Sequence, residues 1–197
     1  MEINAEKVKE LREKTGIGMM KCKEALIACD GDFENAIDYL RKKGLATAEK
    51  KSARTTNDGR VACYIHTGSK VGVLVEINCE TDFVAKGEEF GELCKDICMQ
   101  IAAASPVAVG REEIPAETVE REKAIYAEQV VGKPANIIGK IVEGKLNAFY
   151  KQACLMEQAW IKDPAVTIEA LVKGKIAKFG ENITIRRFVR YQLGEEL

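Results

Sequence analysis

Apolar residues recur at helical spacing through the first forty positions. Ile3, Val8 and Leu11 lie among charges as far as Gly16, and Cys22, Ala25, Leu26 and Cys29 fall at i, i+3, i+4 and i+7. Phe33, Ala36, Ile37 and Leu40 repeat that spacing, with Asp32 suited to the N-cap and Gly44 expected as the stop. The pattern predicts a three-helix module over residues 1–43. Its core is too small to bury much area, so the module is expected to present a surface to a partner. Between its first two helices stands "TGIGMMK". Residues 44–59, "GLATAEKKSARTTNDG", are polar and read as a linker, helical in part. Their basic run lacks interleaved aromatics and is expected to be a solvated surface rather than a nucleic-acid arm.

The period then changes to two. Val61, Cys63 and Ile65 alternate, His66 to Ser69 make a tight connection, and Val71, Val73, Val75 and Ile77 alternate again, which predicts a hairpin. Phe90, Leu93, Cys94, Ile97, Cys98 and Ile101 predict a helix from about Asp82 to Ala104. Further helices are expected near Glu117 to Val130, from Pro134 onward through Ile138, Ile141, Val142, Leu146 and Phe149, and behind Thr167 with Ile168, Leu171, Val172, Ile176 and Phe179 on one face. The tail reads as a third strand, with Ile183, Ile185, Val189, Tyr191 and Leu193 on one parity and Arg187 interrupting it. Two strands, four helices and a strand without regular βαβ alternation predict an α+β core over residues 60–197, an antiparallel sheet covered by helices.

Composition narrows the class. The 197 residues are 46% hydrophobic and 31% charged, ordinary values for a globular chain. Thirty basic against thirty-one acidic side chains give a net charge of −1, so no global basic field favours direct nucleic-acid binding. No apolar run reaches the roughly 18 residues that cross a bilayer, and "MEINAEKVKELREK" lacks the apolar stretch of an export signal. The chain is therefore expected in the cytoplasm, with no membrane partner. Seven cysteines are an odd number without C-x-x-C spacing, which predicts reduced, buried thiols rather than a disulfide framework or metal site.

Candidate chemistry is sparse. Phosphate-cradling loops and the common hydrolase and metalloprotease signatures are missing. The single histidine, His66, stands in the hairpin connection without a nucleophile near it in sequence, so a surface or contact role is favoured over catalysis. Glu76, Glu80 and Asp82 lie close together, yet the start of a helix favours acidic groups for structural reasons. No catalytic residue, metal ligand or cofactor site is expected. In "INCETDFVAK" two readings of Asp82 and Phe83 stay open on residue physics: an N-cap with its aromatic turned into the core, or a projecting wedge. In "GIGMM" only one of two adjacent methionines can easily face the module's own core, leaving the other for contact.

"LREKTGIGMMKCKEAL" (Leu11 to Leu26) and "VGVLVEINCETDFVAK" (Val71 to Lys86) closely resemble the hallmark motifs of the elongation factor Ts family, and "IPAETVEREKAIY", "GKPANIIGKIVEGKL" and "FGENITIRRFVRY" extend the resemblance over nearly the whole chain. The resemblance implies a ubiquitin-associated-like three-helix module followed by an α+β core, and a guanine-nucleotide exchange factor acting on elongation factor Tu, which it would meet GDP-bound and nucleotide-free. It implies that Asp82 and Phe83, framed by Thr81 and Val84, insert near the partner's magnesium ion. It also implies that Arg12, Met19, Met20 and Lys23 meet the partner's nucleotide domain, and that His66 lies in a contacting segment. Longer relatives duplicate the core, whereas one hairpin and one T-D-F-V motif occur here, so a homodimer is an expected form. Ile17 and Lys21 depart from the small and acidic residues common in the family. The competing readings are a peptide- or ubiquitin-binding module without exchange activity, and a small cysteine- or metal-dependent enzyme.

Overall fold

The computed structural model describes residues 4–130 and 134–195. In chain order the elements are α1 (Ala5–Thr15), α2 (Met19–Ala28), α3 (Phe33–Lys51), β1 (Asp58–Ile65), β2 (Val71–Cys79), α4 (Asp82–Lys86), α5 (Glu88–Ala104), α6 (Ala116–Glu128), α7 (Ala135–Ala153), β3 (Ala159–Trp160), β4 (Asp163–Thr167), α8 (Ile168–Phe179) and β5 (Ile183–Gln192), with short 3-10 turns at Arg111–Glu113 and Leu155–Glu157. The class is α+β, as the change of hydrophobic period predicts. The chain divides into two compact units. One takes the described residues up to Gly59 together with Asn78–Ala85 and Ala170–Thr184; the other takes Arg60–Ile77, Lys86–Glu169 and the described residues from Ile185 onward.

In the first unit, α1 to α3 enclose a cluster of Val8, Leu11, Cys22, Ala25, Leu26, Ala36 and Leu40, with Ile17, Phe33 and Ile37 packed against it. This is the stripe the spacing predicts, apart from Ile3, which lies outside the described residues. The ends are closed by side chains. Asn4 accepts a hydrogen bond from the Lys7 amide at 3.0 Å, and Asp32, the expected cap, accepts one from Asn35 at 2.8 Å. α3 does not stop at Gly44 but runs on to Lys51. A glycine inside a helix costs about 1 kcal/mol relative to alanine, and here it serves packing: a Cβ at Gly44 would lie 3.1 Å from that of Ala177 on α8. Gly44 thus permits a close helix approach rather than ending a helix.

In the second unit the sheet order is β1-β2-β5. The hairpin closes with the His66 amide donating to Val71 and the Ser69 amide to His66, both at 2.9 Å. Leu193 beyond the end of β5 donates to Lys70 just before β2, so these two strands run antiparallel. Val73, Val75, Ile77 and Ile185 are buried, whereas Val61, Ile65, Leu74, Val189, Tyr191 and Leu193 are exposed. The parity read along β5 therefore changes meaning after Ile185. The stripe Phe90, Leu93, Cys94, Ile97, Cys98 and Ile101 of α5 is fully buried, as its spacing predicts. The helix expected over Asp82 to Ala104 is two helices, because Gly87 adopts an extended backbone (φ −63°, ψ 145°) as the N-cap of α5. The stretch between α7 and α8, where the hydrophobic pattern predicts no element, contains the β3-β4 hairpin. Gln100 holds it: its amide donates to Gln158 at 3.0 Å and to the Ala159 carbonyl at 3.2 Å, and its oxygen accepts from the Ile161 amide at 2.9 Å.

All seven cysteines are free; five are buried, Cys29 is half-buried and Cys63 is exposed, a departure from uniform burial. Burial pushes the Cys98 thiol up to about 12, far from the thiolate that metal binding or nucleophilic attack requires. Among the described residues no helix is long and apolar enough to cross a membrane.

Candidate functional site

β2 ends at Cys79 and α4 begins at Asp82, so Glu80 and Thr81 form the whole connection. Their amides belong neither to the sheet nor to the helix and need partners. Both find one carboxylate. Glu181 Oε2 accepts from the Glu80 amide at 3.2 Å and the Thr81 amide at 3.0 Å, while Glu181 Oε1 accepts from the Thr81 hydroxyl at 2.7 Å. The arrangement is reciprocal, because Glu80 Oε1 accepts from the Asn182 amide at 2.6 Å. That bond holds the Glu80 carboxyl below its usual value, with the Arg54 charge adding to the effect against partial burial.

The Glu181 turn is itself fixed. Gly180 takes the left-handed conformation (φ 76°) that ends α8, its amide donating to Ile176 at 2.9 Å. The buried Asn182 side chain donates to the carbonyls of Ser52 and Arg54 at 3.2 and 2.8 Å, and Lys51 donates to the Gly180 carbonyl. Cys79 donates its thiol proton to the Thr81 carbonyl at 3.2 Å, and burial, followed by the Glu181 charge, raises that thiol and keeps it protonated.

On this base the two readings of the turn separate. The cap of α4 is Thr81: its carbonyl accepts from Ala85 at 3.2 Å and its hydroxyl from Val84 at 3.5 Å. Asp82 is instead the first helical residue, where its charge suits the dipole. Phe83 is not a core residue. It is 85% exposed, while Val84 is half-buried and Ala85 buried. An aromatic ring thus stands in solvent on a five-residue helix whose entry is fixed by five hydrogen bonds from outside the helix or to its cap.

A second group of candidates lies on α1 and α2. Met19, Met20 and Lys23 line one shallow groove with Asn4, Ala5 and Val8. Met20 is 72% exposed and Met19 41%, so neither methionine completes the core of the helices. Arg12 is exposed on α1 but is not among the groove residues. Ile27, seven positions after Met20, is also exposed, a residue that the sequence reading passed over. His66, in the other unit, is exposed in the hairpin turn, with Nδ1 2.9 Å from the Tyr64 hydroxyl. Among the described residues, no group of three or more His, Cys, Asp or Glu side chains is arranged to hold a metal ion.

Glu181 is the residue that sequence reasoning missed, whereas Glu80, named among the neighbouring carboxylates, accepts from the Asn182 amide. Glu181 lies a hundred positions from the turn it holds. The available signal was an acidic residue directly after a helix-ending glycine in "FGENITI".

Comparison with known proteins agrees along the chain. The family model described as "Elongation factor TS" matches residues 47–195. The elongation factor Ts of Caldanaerobacter subterraneus subsp. tengcongensis is 58% identical over 98% of both chains. That of Syntrophus aciditrophicus is 56% identical over 100% of this chain and 99% of its own, and that of Thermodesulfovibrio yellowstonii 57% over 99% and 98%. With near-complete coverage at such identity, the chain belongs to the elongation factor Ts family.

Proposed function

We propose that this protein promotes release of GDP from elongation factor Tu during translation elongation in the cytoplasm, by inserting Asp82 and Phe83 near the partner's magnesium and nucleotide site. Family membership supports the exchange role. The observation that carries the insertion step is the 85% exposure of Phe83 on a fixed turn beside Asp82. An exposed aromatic offers about 1.5–3 kcal/mol when buried against a partner. Held on a pre-formed turn, it gives up little of that gain to ordering.

No covalent step is needed. Magnesium and the partner's phosphate loop hold GDP together, so a wedge that disturbs either weakens the nucleotide. Asp82 brings negative charge to a site already crowded with phosphate, and Phe83 supplies buried area. Linkage makes the effect reciprocal: bound nucleotide lowers affinity for this protein by the same factor, so incoming GTP displaces it. The groove of Met19, Met20 and Lys23 supports a second contact, since unbranched thioethers adapt to an irregular surface and a lysine adds a charge at the rim. In this reading Arg12 and His66 extend the contact surface, and Thr81 and Val84 frame the wedge.

The open side of the β1-β2-β5 sheet supports a homodimer: Val61, Leu74 and Val189 line a groove there, and Val61 is 72% exposed. A mass of two chains in sedimentation would accord with that form, and a single-chain mass at micromolar concentration would exclude it.

The test of exchange follows fluorescent GDP leaving elongation factor Tu with and without this protein. Acceleration is expected, and Asp82→Ala combined with Phe83→Ala should abolish most of it while the fold survives. Absence of acceleration by the unaltered protein would overturn the proposal in favour of a binding module.

A further inference from the structure

We infer that Glu181 is a positioning residue for exchange, acting through Asp82 and Phe83 although a hundred residues separate it from them. The inference rests on the exchange reading above. Neither Asp82 nor Phe83 is held by a long helix of its own. α4 has five residues, too short to keep a fixed direction without external support. Its direction is set where the chain leaves β2, and there Glu181 supplies three of the bonds: the Glu80 amide at 3.2 Å, the Thr81 amide at 3.0 Å and the Thr81 hydroxyl at 2.7 Å.

All three groups are donors. An ionised carboxylate is the side chain that accepts several donors at once, and each such bond is charge-assisted. The Thr81 hydroxyl has two duties, donating to Glu181 and accepting from the Val84 amide at 3.5 Å, so the orientation of the Glu181 carboxylate passes directly into the first turn of α4. The base of the lever is equally defined. Gly180 ends α8, and Asn182 is tied both to Glu80 at 2.6 Å and to the carbonyls after α3 at 3.2 and 2.8 Å. Glu181 stands between two anchored neighbours and has little freedom to follow a displaced turn. Without its carboxylate two backbone amides must turn to water, and the exit of β2 can swing.

A residue that only stabilised the fold would affect exchange whatever stood at positions 82 and 83. A positioning residue loses its influence once the groups it positions are removed. A double-mutant cycle on GDP release from elongation factor Tu separates these cases. Glu181→Ala is expected to lower the limiting release rate about tenfold while the half-saturating concentration stays within about threefold. Glu181→Gln, which keeps an acceptor oxygen for the two amides, is expected to recover most of the rate. In the Asp82→Ala, Phe83→Ala background, Glu181→Ala should cause less than a twofold further loss.

Equal losses in both backgrounds would overturn the inference, as would an unchanged rate in Glu181→Ala. Should Glu181→Ala fail to fold, Thr81→Val removes only the hydroxyl that joins Glu181 to α4. It should slow release about threefold in the unaltered background and not in the other, and additive losses would again refute the inference. Acceleration by the unaltered protein in the same experiment checks exchange separately, so the two proposals fail by different observations.

Discussion

Replacing Phe83 with alanine sets the two roles of an aromatic against each other, because its effects on folding and on exchange should diverge. A buried phenylalanine truncated to alanine costs about 3–5 kcal/mol. At about 2–4 °C per kcal/mol for a chain of this size, that would lower the melting temperature by about 6–20 °C. Phe83 is 85% exposed, so its truncation removes almost no folded-state packing, and an effect within about 0.5 kcal/mol, or about 2 °C, is expected. The same exposure sets the scale of the other effect. Full burial of the side chain yields about 1.5–3 kcal/mol, and the 85% still available in the free protein corresponds to about 1.3–2.6 kcal/mol. Lost from the complex, that is about 10- to 80-fold in affinity for nucleotide-free elongation factor Tu. Thermal unfolding followed by circular dichroism gives the first number, and titration of the partner by calorimetry gives the second. A fall in melting temperature beyond about 6 °C, or an unchanged affinity, would refute the reasoning.

Glu80 predicts an acid dependence. Its carboxyl is lowered in the folded protein, first by the Asn182 amide, so the stabilisation is fully present above the unfolded value of about 4.3 and is lost as pH falls through the lower folded value. Glu80→Gln should therefore flatten the loss of stability below about pH 4.3, measured as urea midpoints across pH, and parallel curves for the two proteins would contradict it. Gln100→Leu should destabilise by about 1–3 kcal/mol, because it strands the buried Gln158 oxygen and takes the acceptor from the part-buried Ile161 amide. Urea unfolding checks this, and a change below about 1 kcal/mol would show that water reaches those groups.

Helical stripes were the most legible part of the chain. The described residues at i, i+3, i+4 and i+7 in α1 to α3 and in α5 are buried or half-buried because a helix turns one face to its core whatever the tertiary context. Boundaries set by glycine were less legible. Gly44 and Gly87 look alike in sequence, yet one lies inside a helix because α8 approaches closely and the other separates two helices. Neither cause is local. The β3-β4 hairpin escaped notice because its first strand has two residues and its pairing is irregular. At the site, the residues that face outward could be named from motif resemblance, whereas the carboxylate that fixes them could not. Glu181 and Thr81 meet through tertiary structure, and no period connects them.

The sheet order places β2 between β1 and β5, but β5 begins more than a hundred residues after β2 ends. On a ribosome adding about 5–20 residues per second, the hairpin is complete roughly 5–20 s before its third strand emerges. Through that interval one edge of β2 has no partner, and Glu80 and Thr81 have no Glu181 to bind. A nascent chain therefore carries the T-D-F-V sequence long before it can hold it in place. Under the positioning inference above, a chain broken off before Gly180 retains the motif and lacks the carboxylate that aims it.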